Sequence, residues 1–427
     1  MNVHESEKLA GILDELGYTK TNDESKADII IFNTCCVRDN AEHKAIGNIS
    51  AYKNIKKLRP DLILIVLGCM TQQGTSTDYL YSKCPYVDIV LGTFNKYDIE
   101  SAIKERLDTG KRVYRIIDTE HMCSGTELTT RDSNISAWIN IIQGCNNFCS
   151  YCIVPYVRGR EESRTREEIV TEFKQCLNQG YKEITLLGQN VNSYGLDLDS
   201  SYNFSDLLQE LASFDGKYRI NYMTSHPKDF NTKVVDIIKE YDNISNYIHL
   251  PIQSGSNKVL DLMNRRYTRE KYLDIIDYIK QEIPTAGITT DIMVGFPYEE
   301  KEDFEQTLDI IRRVEYSNSF MFVYSPRIGT PASKMPQVED SIKSERINEL
   351  VSLQRTITRR NAVKLIGSIQ EVLVEDNSPR YENMLCGRTY NGRLVHFTPK
   401  TTMIGEFAEV QVVSNQSAAL IGEELIK

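Results

Sequence analysis

Three blocks of different periodicity predict an α/β protein: an N-terminal doubly wound parallel sheet, a central partial (βα)6 barrel and a C-terminal small all-β barrel. In the first hundred or so residues, continuous β-branched runs alternate with helical patterns, as in a parallel sheet covered on both faces. From about residue 135, six short apolar runs recur with helical segments between them. From about residue 367 the pattern changes to short alternating strands without helices. The expected domains are 1–108, a polar linker at 109–134, then 135–363 and 364–427.

In the first block a helical pattern over 5–16 closes at Gly17. A strand over 27–32 runs into Asn33-Thr34-Cys35-Cys36, and a helix over 38–58 stops ahead of Pro60. A second strand over 62–67 runs into Gly68-Cys69-Met70, and a third over 86–92 precedes a helix over 96–107. Cys35 and Cys69 therefore both fall at the carboxyl ends of parallel strands, the edge where open α/β sheets bind ligands. Either one alone reads equally well as a buried core cysteine; two at equivalent positions point to ligation. Cys36 points to the opposite face of an extended chain from Cys35 and is not expected to replace it.

The second block begins with an apolar run over 137–142 that leads into Gln143-Gly144-Cys145-Asn146-Asn147-Phe148-Cys149-Ser150-Tyr151-Cys152. The spacing is C-x3-C-x2-C, with no fourth cysteine at a short interval, whereas a structural zinc site wants four closed ligands. Three thiolates on one loop can instead hold three irons of a 4Fe-4S cube and leave the fourth iron open. Further strands are expected over 183–187, 219–223, 247–250, 288–294 and 320–323, with motif residues collected at one mouth. The binding candidates there are Gly188, Gln189, Asn190, Ser225, His249, Gln253, Asp291 and Gly295. Glycine lets a backbone approach a ligand, and neutral side chains offer hydrogen bonds without charge, although ordinary βα turns favour the same residues. His226 and His249 suggest a general base, and neither is assigned. A helix over 341–365 then leads to strands over 370–375, 385–389, 394–397 and 408–413.

Composition narrows the function class. At 427 residues and 41% hydrophobic, the chain has ample material for packed cores, and no apolar stretch reaches the roughly 18 to 20 residues of a membrane span. Ten cysteines, three of them on one loop, suggest metal ligation in a reducing compartment, so a cytoplasmic protein is expected. A net charge of −10 argues against general polyanion binding. Local basic segments at 53–59 and 264–269 are candidate phosphate contacts, or else solvated helix faces.

At Cys145, Cys149 and Cys152 the chain resembles the radical S-adenosylmethionine (SAM) superfamily. That resemblance implies a 4Fe-4S cluster whose open iron binds SAM and whose electron cleaves it to a 5′-deoxyadenosyl radical, with the mouth residues above as SAM contacts. Asn33-Thr34-Cys35 with Val37-Arg38, and Gly68-Cys69, resemble the N-terminal domain of the methylthiotransferases, a radical-SAM family. This implies a second 4Fe-4S cluster on Cys35, Cys69 and a cysteine in a Gly-Cys-Gln-Met-Asn segment. The chain starts at Met1-Asn2, inside such a segment, so translation is expected to begin upstream and supply that first ligand.

The C-terminal block resembles the TRAM domain, an RNA-binding module. Arg388, Tyr390, Arg393, His396 and Phe397 are its cationic and aromatic candidates, and a base stacked on an aromatic ring gains about 1–3 kcal/mol; a barrel that merely caps the enzyme is the alternative. Val3-His4-Glu5-Ser6-Glu7-Lys8, the segment from Tyr151 to Glu161, and Leu186-Leu187-Gly188-Gln189-Asn190-Val191-Asn192 are most similar to one branch of the family. That branch adds a methylthio group to carbon 2 of isopentenyladenosine beside the tRNA anticodon. The implied chemistry uses SAM twice, once to methylate a sulfur on the N-terminal cluster and once to make the radical. The implied partners are a tRNA anticodon stem-loop and an electron donor such as flavodoxin or ferredoxin, with the sulfur donor left open. A sister methylthiotransferase acting on threonylcarbamoyladenosine or a ribosomal-protein aspartate is the nearer rival. A non-catalytic iron-sulfur RNA-binding protein is the more distant one.

Overall fold

The computed structural model describes residues 1–36, 39–117, 119, 128–198 and 201–426, so Val37 and Arg38 of the first cysteine motif lie outside the described residues. The chain forms two compact units. One comprises Met1–Asp132, Gln143–Phe148 and Cys152–Glu162; the other comprises Ser133–Ile142, Cys149–Tyr151 and Ser163–Lys427.

The first unit is a parallel sheet in the order β1 (Ile29–Thr34), β2 (Ile63–Gly68), β3 (Ile89–Leu91), β4 (Val113–Arg115). Its helices are α1 (Asn2–Glu15), α2 (Asp39–Leu58), α3 (Gly74–Lys83) and α4 (Ile99–Thr109). Strand β2 is buried throughout, and its period of two divides it between the faces. Ile63, Ile65 and Leu67 pack with Leu9 and Ile12 of α1 and Ile99 and Ile103 of α4. Val66 packs on the other face with Ile49 of α2 and Leu80 of α3. This is the doubly wound sheet that the β-branched runs predict.

Two elements of this unit depart from the sequence reading. The expected linker contains β4, which pairs with β3 and completes the sheet. Helix α3 forms from Gly74-Thr75-Ser76-Thr77-Asp78-Tyr79, poor helix formers, because Leu80 is drawn into the core and the Thr77 hydroxyl donates back to the Thr71 and Gln73 carbonyls.

The second unit begins with β5 (Ser136–Asn140); in the sequence, the two-residue strands β6 (Ile142–Gln143) and β7 (Glu162–Ser163) lie where the chain passes between the units, on either side of the cysteine loop and its short helix α5 (Val154–Arg158), which belongs to the first unit. Strand β5 pairs in parallel with β8 (Glu183–Leu187) and then β9 (Arg219–Met223). A second parallel sheet runs β10 (Tyr247–His249), β11 (Gly287–Val294), β12 (Asn318–Val323). An isolated parallel bridge joins Ile220 of β9 to Ile244, just ahead of β10, so the two sheets follow one another as an open barrel of six parallel strands. Ile139, Leu186, Ile220, Ile248, Ile288 and Ile292 share one core with Phe173, Leu208, Ile276 and Leu308 of the surrounding helices. Alternation therefore turns His249, Thr289, Asp291 and Phe320 to the opposite, inner face.

Helix α12 (Asp340–Val363) leads to a closed barrel of β13 (Ile369–Asn377), β14 (Leu385–Thr389), β15 (Leu394–Thr398), β17 (Ala419–Glu424) and β16 (Phe407–Gln416). The sequence pattern misses β17 because Gly422 interrupts it. A Cβ there would meet Val410 Cγ1 at 2.4 Å, so only glycine lets this strand close the barrel. The turn after β14 docks on the amino-terminal edge of the parallel sheets. Arg219, paired with Glu183, donates to the Arg388 carbonyl at 2.9 Å, and Ser245 Oγ donates to the Tyr390 carbonyl at 2.6 Å. This placement corrects three of the five expected RNA contacts, while Arg388 stays exposed. Phe397 lies in the barrel core, His396 is buried with its Nδ1 on Ser378 Oγ, and Tyr390 stacks over the Arg219 guanidinium.

Candidate active site

The strand ends of the second unit gather most of the residues singled out above. His249 Nδ1 lies 3.0 Å from Thr289 Oγ1, and its Nε2 lies 3.6 Å from Asp291 Oδ2. Phe320 meets the imidazole edge-on at 5.8 Å. The loops after β8 and β9 are tied together, since Val191 N–H donates to the Thr224 carbonyl at 3.0 Å and His226 N–H donates to Asn192 Oδ1 at 3.3 Å. Within that knot the buried Asn190 Oδ1, Asn192 Nδ2 and Ser225 Oγ have no hydrogen-bond partner among the described residues. Buried polar atoms are normally satisfied, so these three are candidate contacts for a polar ligand. Thr224 and Gln253 at these ends both take left-handed backbone, φ 73° each, and such strain concentrates at ligand sites.

Both candidate glycines are closely packed. A Cβ on Gly188 would meet Ile142 Cγ2 at 2.5 Å, and one on Gly295 would meet Lys343 Cγ at 2.3 Å. Gly295 also donates its N–H to Glu299 Oε1 at 3.0 Å. Gln189 is half-buried, and Gln253 is buried, with an isolated bridge to Ile292.

Cys149 is buried against two donors. Arg265 Nη1 lies 3.3 Å from its Sγ, and His226 Nε2 lies 4.0 Å away. The Lys228 N–H donates to His226 Nδ1 at 3.2 Å. Burial, reinforced by Arg265 and Lys228, pushes the His226 pKa far below its ordinary value and keeps the ring neutral. With Nδ1 accepting, the ring proton resides on Nε2, which faces the sulfur.

Within the basic run 264–269, Arg265 is withdrawn from any phosphate-contact face, being only 4% exposed, whereas Arg266 stays at the surface. Asn264 and Arg266 on either side of it have φ 57° and 58°, a double left-handed turn that sends Arg265 inward. Its other partners are Tyr267 Oη at 3.1 Å, Tyr151 Oη at 3.4 Å and the Pro251 carbonyl at 2.8 Å. Among the described residues no carboxylate pairs with it. Nearby, Arg269 is tied to Asp309 and to the Gly255 and Gln306 carbonyls.

In the first unit, Gly144 has φ 69° and its missing Cβ would fall 1.8 Å from the Arg160 carbonyl oxygen. Cys145 N–H donates to the Gly159 carbonyl at 3.2 Å, and Arg160 stacks over Phe148 at 4.5 Å. Cys145 and Cys152 are half-buried. After Cys152, helix α5 packs Ile153 and Val157 into the same core as Cys36, Cys69 and Met70.

Arg158 of that helix is buried and donates from Nε to Cys69 Sγ at 3.1 Å and from Nη1 to Glu5 Oε1 at 2.8 Å. Lys96 Nζ reaches the same carboxylate at 2.6 Å. Burial alone would raise the Glu5 pKa, but Arg158 and Lys96 outweigh it and hold the carboxylate well below its usual range. The Cys69 thiol is brought below its ordinary value, first by a hydrogen bond from Cys36, with Arg158 helping against burial. The same bond, with burial, drives the Cys36 pKa up. Cys35 is half-buried just past the end of β1. The other basic segment, at 53–59, also partly turns inward, since Lys56 pairs with Asp88 and Arg59 donates to the Ala27 carbonyl.

No preassembled group of three His, Cys, Asp or Glu ligands stands among the described residues, so the fit to an iron-sulfur cluster rests on donor type and charge. Three thiols on one loop suit iron, and a desolvated guanidinium without a carboxylate requires a negative partner beside Cys149. A three-thiolate cluster carries that charge. Sequence reasoning does not find Arg265, Arg158 or Lys96, because basic residues in such runs usually face water. The turn former Asn264 beside Arg265 is the one local hint.

Residues 139–311 match the model of the Radical SAM superfamily, residues 1–92 that of the Uncharacterized protein family UPF0004, and residues 363–424 that of the TRAM domain. A tRNA-2-methylthio-N(6)-dimethylallyladenosine synthase of Thermoanaerobacter pseudethanolicus is 47% identical over 99% of this chain and 90% of its own length. Proteins of the same name from Clostridium botulinum (strain Langeland) and Clostridium tetani are each 46% identical over 100% of this chain and 95% and 94% of their own lengths. Among solved structures, the radical S-adenosylmethionine methyltransferase TsrM from Kitasatospora setae superposes with TM-score 0.53 at 15% identity, over 71% of this chain and 65% of that one. This last likeness is one of fold.

Proposed function

The chain belongs to the family of the tRNA-2-methylthio-N(6)-dimethylallyladenosine synthases, with a radical-SAM domain, and from that membership we propose that it adds a methylthio group to carbon 2 of dimethylallyladenosine in tRNA. The observation that carries the reading is the carboxylate-free Arg265 on Cys149 of a C-x3-C-x2-C loop. Cys145, Cys149 and Cys152 would hold a 4Fe-4S cluster. When bound there, the cluster supplies the electron that opens SAM to a 5′-deoxyadenosyl radical.

The chain's own residues bind and orient. Asn190, Asn192 and Ser225 offer the open polar atoms that would fix SAM. His249, held by Thr289 and Asp291, and the inner-face Phe320 form a polar and aromatic floor suited to a flat purine. Phe320 is 42% exposed and so free to stack. Cys35 and Cys69 are the proposed ligands of a second cluster, where Arg158 would offset thiolate charge. The C-terminal barrel is the proposed tRNA-binding module; with His396 and Phe397 inside, its RNA face excludes them. A cytoplasmic enzyme served by a low-potential electron donor completes the reading, and among the described residues no helix is long and apolar enough to cross a membrane.

Anaerobic reconstitution tests it. On the order of four irons per chain is expected from the radical loop alone, and about eight if Cys35 and Cys69 also hold a cube. Iron-free protein would sink the reading.

A further inference from the structure

We infer that Arg265 and His226 form a two-donor clamp on the Cys149 sulfur that sets the reduction potential of the cluster proposed on Cys145, Cys149 and Cys152. This rests on the reading of that loop as the cluster site and adds to it a role for two residues outside the loop.

Four observations carry the clamp. The backbone on both sides of Arg265 is left-handed at non-glycine residues, a conformation that costs free energy and persists only when the surroundings fix it. What that strain achieves is a guanidinium held away from water with its Nη1 on Cys149 Sγ. The remaining directions are occupied by neutral groups: Nε meets the Tyr267 hydroxyl and Nη2 the Pro251 carbonyl. The positive charge is therefore uncompensated except at the sulfur. His226 contributes a second donor from the opposite loop, its tautomer fixed by the Lys228 amide.

Hydrogen bonds to sulfur and nearby charge are the terms by which a protein moves an iron-sulfur potential. Reduction adds one electron, delivered by an external low-potential one-electron donor, and makes the thiolate-ligated cluster more negative by one charge. A fixed cation at the ligand sulfur stabilises that reduced form, so it raises the potential towards the reach of the donor. A carboxylate of SAM is a weaker candidate for Arg265, because the donors named above already have partners.

The test is an EPR-monitored redox titration of the anaerobically reconstituted full chain with dithionite as reductant; the signal that changes when SAM is added identifies this cluster. Arg265→Met is expected to load iron and shift the midpoint to more negative potential. Arg265→Lys should shift it less, since the charge survives while the fork does not, and His226→Phe should give a smaller negative shift. Iron-loaded Arg265→Met with the wild-type midpoint would overturn the inference. Should Arg265→Met not load iron, Arg265→Lys and His226→Phe decide, and wild-type midpoints in both overturn it. Iron-free wild-type protein would remove the underlying reading as well.

Discussion

Arg158 and Cys69 are joined by an N–H···S bond of 3.1 Å between buried groups. Arg158 ends the short helix that begins just after Cys152, so one segment of the first unit carries a proposed ligand of the radical cluster at its start and a donor to a proposed ligand of the second cluster at its end. Glu5, from the first helix, anchors that donor together with Lys96.

The charges make an asymmetric prediction. Glu5→Gln leaves Arg158 and Lys96 buried without their shared anion, whereas Arg158→Met leaves a balanced Lys96–Glu5 pair. Breaking a buried pair this way costs about 3–5 kcal/mol. Hydrogen exchange of the β2 amides should therefore accelerate more in Glu5→Gln than in Arg158→Met. Equal protection in the two variants would contradict the charge account.

Cys149→Ala should abolish formation of 5′-deoxyadenosine from SAM while tRNA affinity, measured at fixed salt, stays at the wild-type value. Loss of both together would mean that the cysteine loop is a structural element of the RNA-binding surface.

Gly144→Ala should prevent iron loading with the helical circular dichroism retained. The new methyl group would meet a backbone carbonyl at 1.8 Å and demand a strained φ of 69°, so the turn preceding Cys145 must open. Iron content at the wild-type level would show that the loop reaches its ligating shape by another backbone path.

Glu424 closes the C-terminal barrel by accepting hydrogen bonds from the amides of Lys400, Thr401 and Thr402 and from the Thr401 and Thr402 hydroxyls. Burial would raise its pKa, but these donors bring it from 4.5 down to about 2. A depressed carboxylate contributes stability above its ordinary pKa and loses it as pH falls towards the folded value. Glu424→Gln should thus lower stability by about 1.5–3 kcal/mol at neutral pH. The melting-temperature gap to wild type should narrow as pH falls from 4.5 towards about 2. A gap independent of pH would refute the charge-based account.

Much of the fold is legible from sequence because its signals are local. The β-branched runs at 27–32 and 62–67 and the regular βα alternation after 135 each report on their own segment. Elements defined by distant partners are not legible in this way: β4 needs β3, and β17 needs the gap above Val410. The site divides similarly. The cysteine spacing and the strand-end asparagines stand out in the sequence, whereas Arg265 and His226 reach Cys149 from 116 and 77 residues away. In sequence Arg265 is one of a basic run; only the paired left-handed turns bury it. His396 and Phe397 show the opposite error, a polar and aromatic pair that reads as a surface and folds into the barrel.

The most direct measurement of the central claim is the nucleoside composition of tRNA from a strain lacking its own methylthio synthase and expressing this chain or its Cys149→Ala variant. The account predicts 2-methylthio-dimethylallyladenosine with the wild-type chain and unmodified dimethylallyladenosine with the variant. Accumulated dimethylallyladenosine in both, with the wild-type chain loaded with iron, would contradict it.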